Sequence, residues 1–174
     1  TERGEIPAII TGRMHYDALE RQDLPAVGDW VVVRILDEDR PKATIHAILP
    51  RKSKFSRKDP YPGSGAIEQL LAANIDTVFI VVGLDSNYSV RRIERYMAMA
   101  WESGAQPVVI LNKADLCESV EDRVREVEMA AVGAPAHAIS AVQDRGLEAL
   151  AGYLLKGRTV ALLGSSGVGK STII

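Results

Sequence analysis

Residues 159–172 read Thr159-Val160-Ala161-Leu162-Leu163-Gly164-Ser165-Ser166-Gly167-Val168-Gly169-Lys170-Ser171-Thr172, an apolar run followed by the full pattern G-x-x-x-x-G-K-[ST]. The run predicts a strand over 159–163, and Lys170 then opens a helix, which is the context the pattern requires. Glycines let the backbone wrap closely, so that successive N–H groups point inward at phosphate oxygens. Gly164, Ser165, Ser166, Gly167, Val168, Gly169 and Thr172 are therefore candidate nucleotide-binding residues. Lys170 is placed to neutralise β- and γ-phosphates and Ser171 to offer Mg²⁺ a hydroxyl oxygen, which makes them the candidate catalytic pair. A glycine-rich turn without a ligand is the bland alternative.

Working back from this loop, strands and helices alternate. Residues 77–82 are a continuous apolar run, as expected of a strand buried on both faces of a parallel sheet. Ser89 can cap a helix whose stripe is Ile93, Tyr96, Met97, Ala100 and Trp101, and Gly104 ends it. A strand over 107–111 follows. Ser119 with Asp122 reads as a capping box for a helix carrying Val120, Val124, Val127 and Ala131 on one face. Residues 136–139 suit a strand and 147–154 a helix. This rhythm predicts a three-layer α/β domain with a parallel sheet.

Two short stretches sit where ligands bind in such sheets, just past the carboxyl ends of strands. Asn112-Lys113-Ala114-Asp115 follows 107–111. An aspartate there can accept from guanine N1–H and the 2-amino group together, whereas with adenine it would stay buried and unpaired. Asn112 can bridge the loop to the base, and the methylene stem of Lys113 can lie over the ring. The same residues would also suit a plain helix cap, but beside the phosphate loop they read as a base site. Ser140-Ala141 follows the next strand, where the N–H of Ala141 can reach the guanine O6. An ATP-using protein is disfavoured by Asp115.

The 174 residues are 47% hydrophobic and 25% charged, the proportions of a globular rather than a disordered chain. Apolar runs such as Val78-Phe79-Ile80-Val81-Val82 stop far short of the roughly 20 residues of a membrane helix. One cysteine, Cys117, excludes a disulfide framework within these residues and any zinc site of several cysteines. A cytoplasmic, non-membrane protein, read as a monomer, is expected. The net charge of −2 draws the chain to nowhere in particular. Locally, Arg51-Lys52-Ser53-Lys54-Phe55-Ser56-Arg57-Lys58 holds five basic residues in eight, either a solvated loop or a phosphate-binding patch. Residues 1–58 hold only short strand-like segments, which predicts a small β-barrel, by pattern alone OB-like or SH3-like. Residues 59–67 have the turn composition of a linker, and 68–174 would be the α/β domain. Trp30 and Trp101 sit at core-like positions. His15, His46 and His137 form no ligand spacing.

The usual nucleotide-binding order places the phosphate loop first, and here Asn-Lys-x-Asp and Ser-Ala precede it. That permuted order, with Gly28-Asp29-Trp30-Val31, Ala72-Ala73-Asn74-Ile75-Asp76 and Arg92-Ile93-Glu94-Arg95-Tyr96, resembles the RsgA (YjeQ) family of circularly permuted, small-ribosomal-subunit-dependent GTPases. The resemblance covers essentially the whole chain. It implies an OB-fold in front that contacts the subunit and its rRNA, GTP or GDP as ligand, hydrolysis stimulated by the subunit, and zinc only in a C-terminal domain beyond these residues. It turns the basic segment toward RNA contact through Arg51, Lys52, Lys54, Arg57 and Lys58. An RNA-binding assembly factor that uses the nucleotide only as a switch is the competing reading. No Asp-x-x-Gly follows the phosphate loop, and Ile174 stands only a few residues past Lys170. The residues are therefore expected to belong to a longer protein, and this piece alone to hydrolyse GTP poorly.

Overall fold

The computed structural model describes residues 4–36, 42–58 and 68–174 and divides the chain into two units, 1–74 and 75–174. In the second unit the apolar run forms β6 (Thr77–Gly83), buried along its whole length. It lies between β7 (Gln106–Asn112) and β9 (Val160–Leu163), and β8 (Ala136–Ala138) flanks β7. All these neighbours are parallel, in the order β8-β7-β6-β9. The expected parallel sheet is present. Gly83 pairs with Asn112 and Ile80 with Leu163, so the phosphate loop and the Asn-Lys-x-Asp stretch leave the same edge of the sheet.

Side chains alternate across the strands. Phe79, Val81, Val108 and Ile110 form a core with Ile139, Leu150 and Val168, against which Leu147, Tyr153 and Ile173 pack. Helices α2 (Val90–Ser103) and α3 (Val120–Ala130) pack on the strands as well, with Ile93, Met97, Ala100 and Val127 buried. Several local expectations change. Trp101 is half exposed rather than core, because it lies on the flank of the stripe set by Ile93, Met97 and Ala100. Neither Ser89 nor Ser119 makes a side-chain cap bond, and Asp122 pairs with Arg125 at 2.7 Å instead of closing a capping box. Residues Leu147–Tyr153 wind as a 3-10 helix.

The first unit holds five strands among its described residues: β1 (Ala8–Ile10), β2 (Val31–Ile35), β3 (Ala43–Ile48), β4 (Lys54–Lys58) and β5 (Glu68–Ala73). A short helix α1 (Gly12–Asp17), capped by Thr11, follows β1 and is too brief to leave a period in the sequence. Strand β3 pairs in parallel with β1 and antiparallel with β2, while β4 and β5 form a separate antiparallel pair. The domain boundary therefore moves. Residues 68–74, assigned from sequence to the α/β domain, complete the front unit, because β5 pairs with β4. The linker read at 59–67 lies outside the described residues. Trp30 is also not core: it precedes the alternating, edge-placed β2 and is largely exposed.

Gly28 and Asp29 hold this unit together. Gly28 has φ +88°, and a Cβ there would stand 2.1 Å from the Ala73 carbonyl oxygen, so a side chain would push the two segments apart. Asn74 donates to the Gly28 carbonyl and accepts from the Lys52 N–H. Asp29 is nearly inaccessible, and Arg51 grips both its oxygens at 2.7 Å while donating to the Gln22 and Leu24 carbonyls. Burial pushes the Asp29 carboxyl up, but the Arg51 fork and the Ala26 N–H outweigh it and leave it below the usual carboxylate range. A carboxyl lowered by folding stabilises above its unfolded value and loses that contribution as pH falls through the folded value. The front unit should thus hold its stability from neutral pH down to about 4 and lose it below. Chemical denaturation at pH 5 and pH 3 checks this, and Asp29→Asn should flatten the difference between them.

Candidate functional site

The site is built where β9, β6 and β7 end. After Leu163 the loop 164–169 turns over the sheet edge, and α4 (Lys170–Ile173) begins. Gly169 has φ +94°, and a Cβ on it would meet the Asn112 side-chain nitrogen at 2.2 Å, so only glycine lets the loop close here. Val168 is buried in the core beneath, whereas Ser166, Gly167, Ser171 and Thr172 face outward. The Lys170 ammonium folds back on the loop and donates to the carbonyls of Gly164 and Ser165 at 2.9 and 2.7 Å. It is thereby held over the loop's opening turn.

Asn112 is the centre of the arrangement. It is buried, its Nδ2 donates to the Val168 carbonyl at 2.9 Å, and its Oδ1 accepts from the Ala141 N–H at 3.1 Å. The sequence reading had Asn112 bridging to a base and the Ala141 N–H open to one. Here Asn112 instead clasps the two loops together, and the Ala141 N–H is engaged by it. Ser140 is buried and donates to Asp115 Oδ1 at 2.5 Å, which fixes an otherwise exposed carboxylate. Asp115, Glu121, Ser140, Arg145 and Glu148 line one open pocket. Phosphate loop, Asn-Lys-x-Asp and Ser-Ala are thus brought together.

Lys113 takes a left-handed conformation, φ 64°, and its ammonium pairs with Asp85 at 2.6 Å. The Lys113 hydrogen bond, helped by the Asn87 N–H, holds the Asp85 carboxyl below its usual range. Nearby, burial and a hydrogen bond to Glu126 push the Tyr88 hydroxyl up to about 12. Asp85 was missed as a site residue. Asp85 follows the end of β6, and a charge placed directly past a buried strand was the available signal.

Among the described residues no three His, Cys, Asp or Glu side chains gather as metal ligands. The fixed hydroxyl position of the phosphate-loop pattern, here Ser171, offers a metal one protein oxygen. That donor set suits Mg²⁺, which keeps several waters and takes its remaining oxygens from phosphates. Among the described side chains, the basic segment splits. Arg51 is turned inward onto Asp29, which corrects its reading as an RNA contact. Lys52 and Lys54 are exposed, and the side chains of Arg57 and Lys58 lie outside the described residues. No helix among the described residues is long and apolar enough to cross a membrane.

Known proteins match this arrangement. The family model of the RsgA GTPase matches residues 48–174. A small ribosomal subunit biogenesis GTPase RsgA of Opitutus terrae is 49% identical over 99% of this chain and 48% of its own length. A second relative, RsgA 2 of Lactiplantibacillus plantarum, is 44% identical over 100% of the chain and 48% of its own length. The chain thus spans about half the length of the curated relatives it matches. Among solved structures, YjeQ from Thermotoga maritima superposes with a TM-score of 0.74 at 28% identity, over 95% of this chain and 54% of that one. YloQ, described as a circularly permuted GTPase, superposes at 0.60 and 22% identity over 88% and 50%, a likeness of fold.

Proposed function

The chain belongs to the RsgA GTPase family, and from that premise we propose that its second unit binds GTP and GDP with Mg²⁺ and serves an enzyme that hydrolyses GTP to GDP and phosphate. The observation that carries this is the Asn112 clasp. It joins Val168 of the phosphate loop to Ala141 beside Asp115, so that one ligand can meet both loops. Asp115 accepts from the guanine edge, with Ser140 orienting its carboxylate. The loop 164–169 receives the phosphates through its backbone N–H groups, and Lys170 supplies the positive charge there. Bound at Ser171, Mg²⁺ would supply charge neutralisation at the phosphates. Gly164, Ser165, Ser166, Gly167, Val168, Gly169 and Thr172 shape the cradle, and Lys113, anchored by Asp85, walls the base side.

In the same reading the first unit is OB-like, which its five short strands support, and it meets the small ribosomal subunit and its rRNA. The relatives' names as small ribosomal subunit biogenesis GTPases support that partner, and the same reading makes the whole protein a cytoplasmic factor in late subunit maturation. The RNA contact falls to Lys52 and Lys54, with Arg57 and Lys58 as further candidates. One experiment on the full-length protein tests the whole. GTP should bind far more tightly than ATP, and single-turnover hydrolysis should rise when small subunits are added. A Lys52→Glu, Lys54→Glu double variant should bind subunits less well, by a margin that shrinks with added salt, and keep its GTP affinity. Equal affinity for ATP and GTP would overturn the base assignment, and unchanged subunit binding would return the lysines to a solvated surface.

A further inference from the structure

Arg92 stands in the first turn of α2, and nothing in the sequence patterns assigns it a task. Its Nη1 donates to the Asn87 carbonyl and to the Ser165 hydroxyl, each at 3.1 Å. Ser165 is the second residue of the phosphate loop, and its carbonyl accepts from Lys170 Nζ. One loop residue is thus gripped by two cations, the ammonium through its backbone and the guanidinium through its side chain. The base end of the loop lies elsewhere, at Val168, where Asn112 ties it to the Ser140–Ala141 turn. Arg92 therefore shares with Lys170 the opposite end of the phosphate path.

An arginine carries five N–H donors in a planar fork that matches phosphate oxygens two at a time. Here Nη1 alone is engaged. Among the described residues, Nε and Nη2 donate no hydrogen bond and no carboxylate pairs with this guanidinium. Asp85, on the segment leading into α2, is already paired with Lys113. The result is a half-buried, uncompensated positive charge aimed at the loop.

We infer that Arg92 is a further phosphate ligand of the site, its free guanidinium edge receiving the terminal phosphate of a nucleoside triphosphate beside Lys170. The inference rests on the guanine-nucleotide reading above. A group that meets only the terminal phosphate separates triphosphate from diphosphate, whereas a group that merely props the loop affects both alike.

The test measures affinities of the full-length protein for the non-hydrolysable β,γ-imido analogue of GTP and for GDP. Arg92→Ala should weaken the triphosphate analogue about tenfold or more and GDP less than about twofold. Arg92→Lys should fall between, since an ammonium keeps the charge without the fork. The exposed neighbour is the control, and Arg91→Ala should change neither. Equal losses for both nucleotides, or none, would overturn the inference. If Arg92→Ala does not fold, Arg92→Lys decides by the same comparison. Wild-type protein that binds neither nucleotide would remove the guanine-nucleotide reading itself, and the inference with it.

Discussion

Lys170→Ala should lower GTP affinity by about 100-fold or more, roughly 3 kcal/mol, with GDP also weakened. The ammonium is held by the Gly164 and Ser165 carbonyls, so it is positioned over the loop before any ligand arrives. No side-chain ordering then has to be added on binding, which raises the net value of a charge-assisted contact to phosphate. The loss is electrostatic as well as local, because a positive charge held over the loop's opening turn is removed from beside a polyanion. Calorimetric titration at fixed ionic strength gives the number. Guanosine, which lacks phosphates, should bind wild type and variant alike. Affinity for GTP within about twofold of wild type would show that Lys170 does not meet the phosphates.

Asn112→Ala should cost about 2–5 kcal/mol of stability in the second unit, and with it most of the nucleotide affinity. Removing the amide orphans the Val168 carbonyl and the Ala141 N–H, both in buried surroundings, and leaves a small void. Each unpaired buried group costs about 1–3 kcal/mol. The two loops also lose the tie through this side chain, so the base and phosphate contacts are less firmly held at one spacing. Urea denaturation followed by circular dichroism measures the first effect. Asn112→Asp is the informative second variant. Its carboxylate can still accept from Ala141 but faces the Val168 carbonyl with no donor, so it should rescue only part of the loss. Wild-type stability in Asn112→Ala would mean that the clasp contributes nothing to the site.

The phosphate loop and the Asn-Lys-x-Asp stretch were legible because their geometry is local. Glycines at set offsets, a buried apolar strand before them and a helix after them are all readable in about a dozen residues. The alternation of apolar runs and helical stripes likewise announced the parallel sheet. Side-chain exposure was less legible. Trp30 and Trp101 carry core-like residue types, yet Trp30 stands just ahead of the edge strand β2 and Trp101 lies on the flank of the buried stripe of α2. Arg51 shows the same gap more sharply. In a run of basic residues it reads as solvated or RNA-facing, while its actual partner, Asp29, lies 22 residues away.

By itself, then, the sequence determined the class of the second unit, the edge of the sheet where chemistry gathers, and the permuted order of its binding stretches. The first two follow from periodicity and turn chemistry within single segments, and the third from comparing the order of the stretches with the usual nucleotide-binding order. Tertiary structure alone decided which residues meet across segments. Strand β5 joined β4 and moved the domain boundary, Asn112 met Val168 over 56 residues, and Arg92 met Ser165 over 73. Such contacts depend on strand order and register, which are set by the summed burial of many side chains rather than by any local pattern. A buried donor takes whichever acceptor the packed fold brings within about 3 Å, and no spacing in the chain encodes that choice.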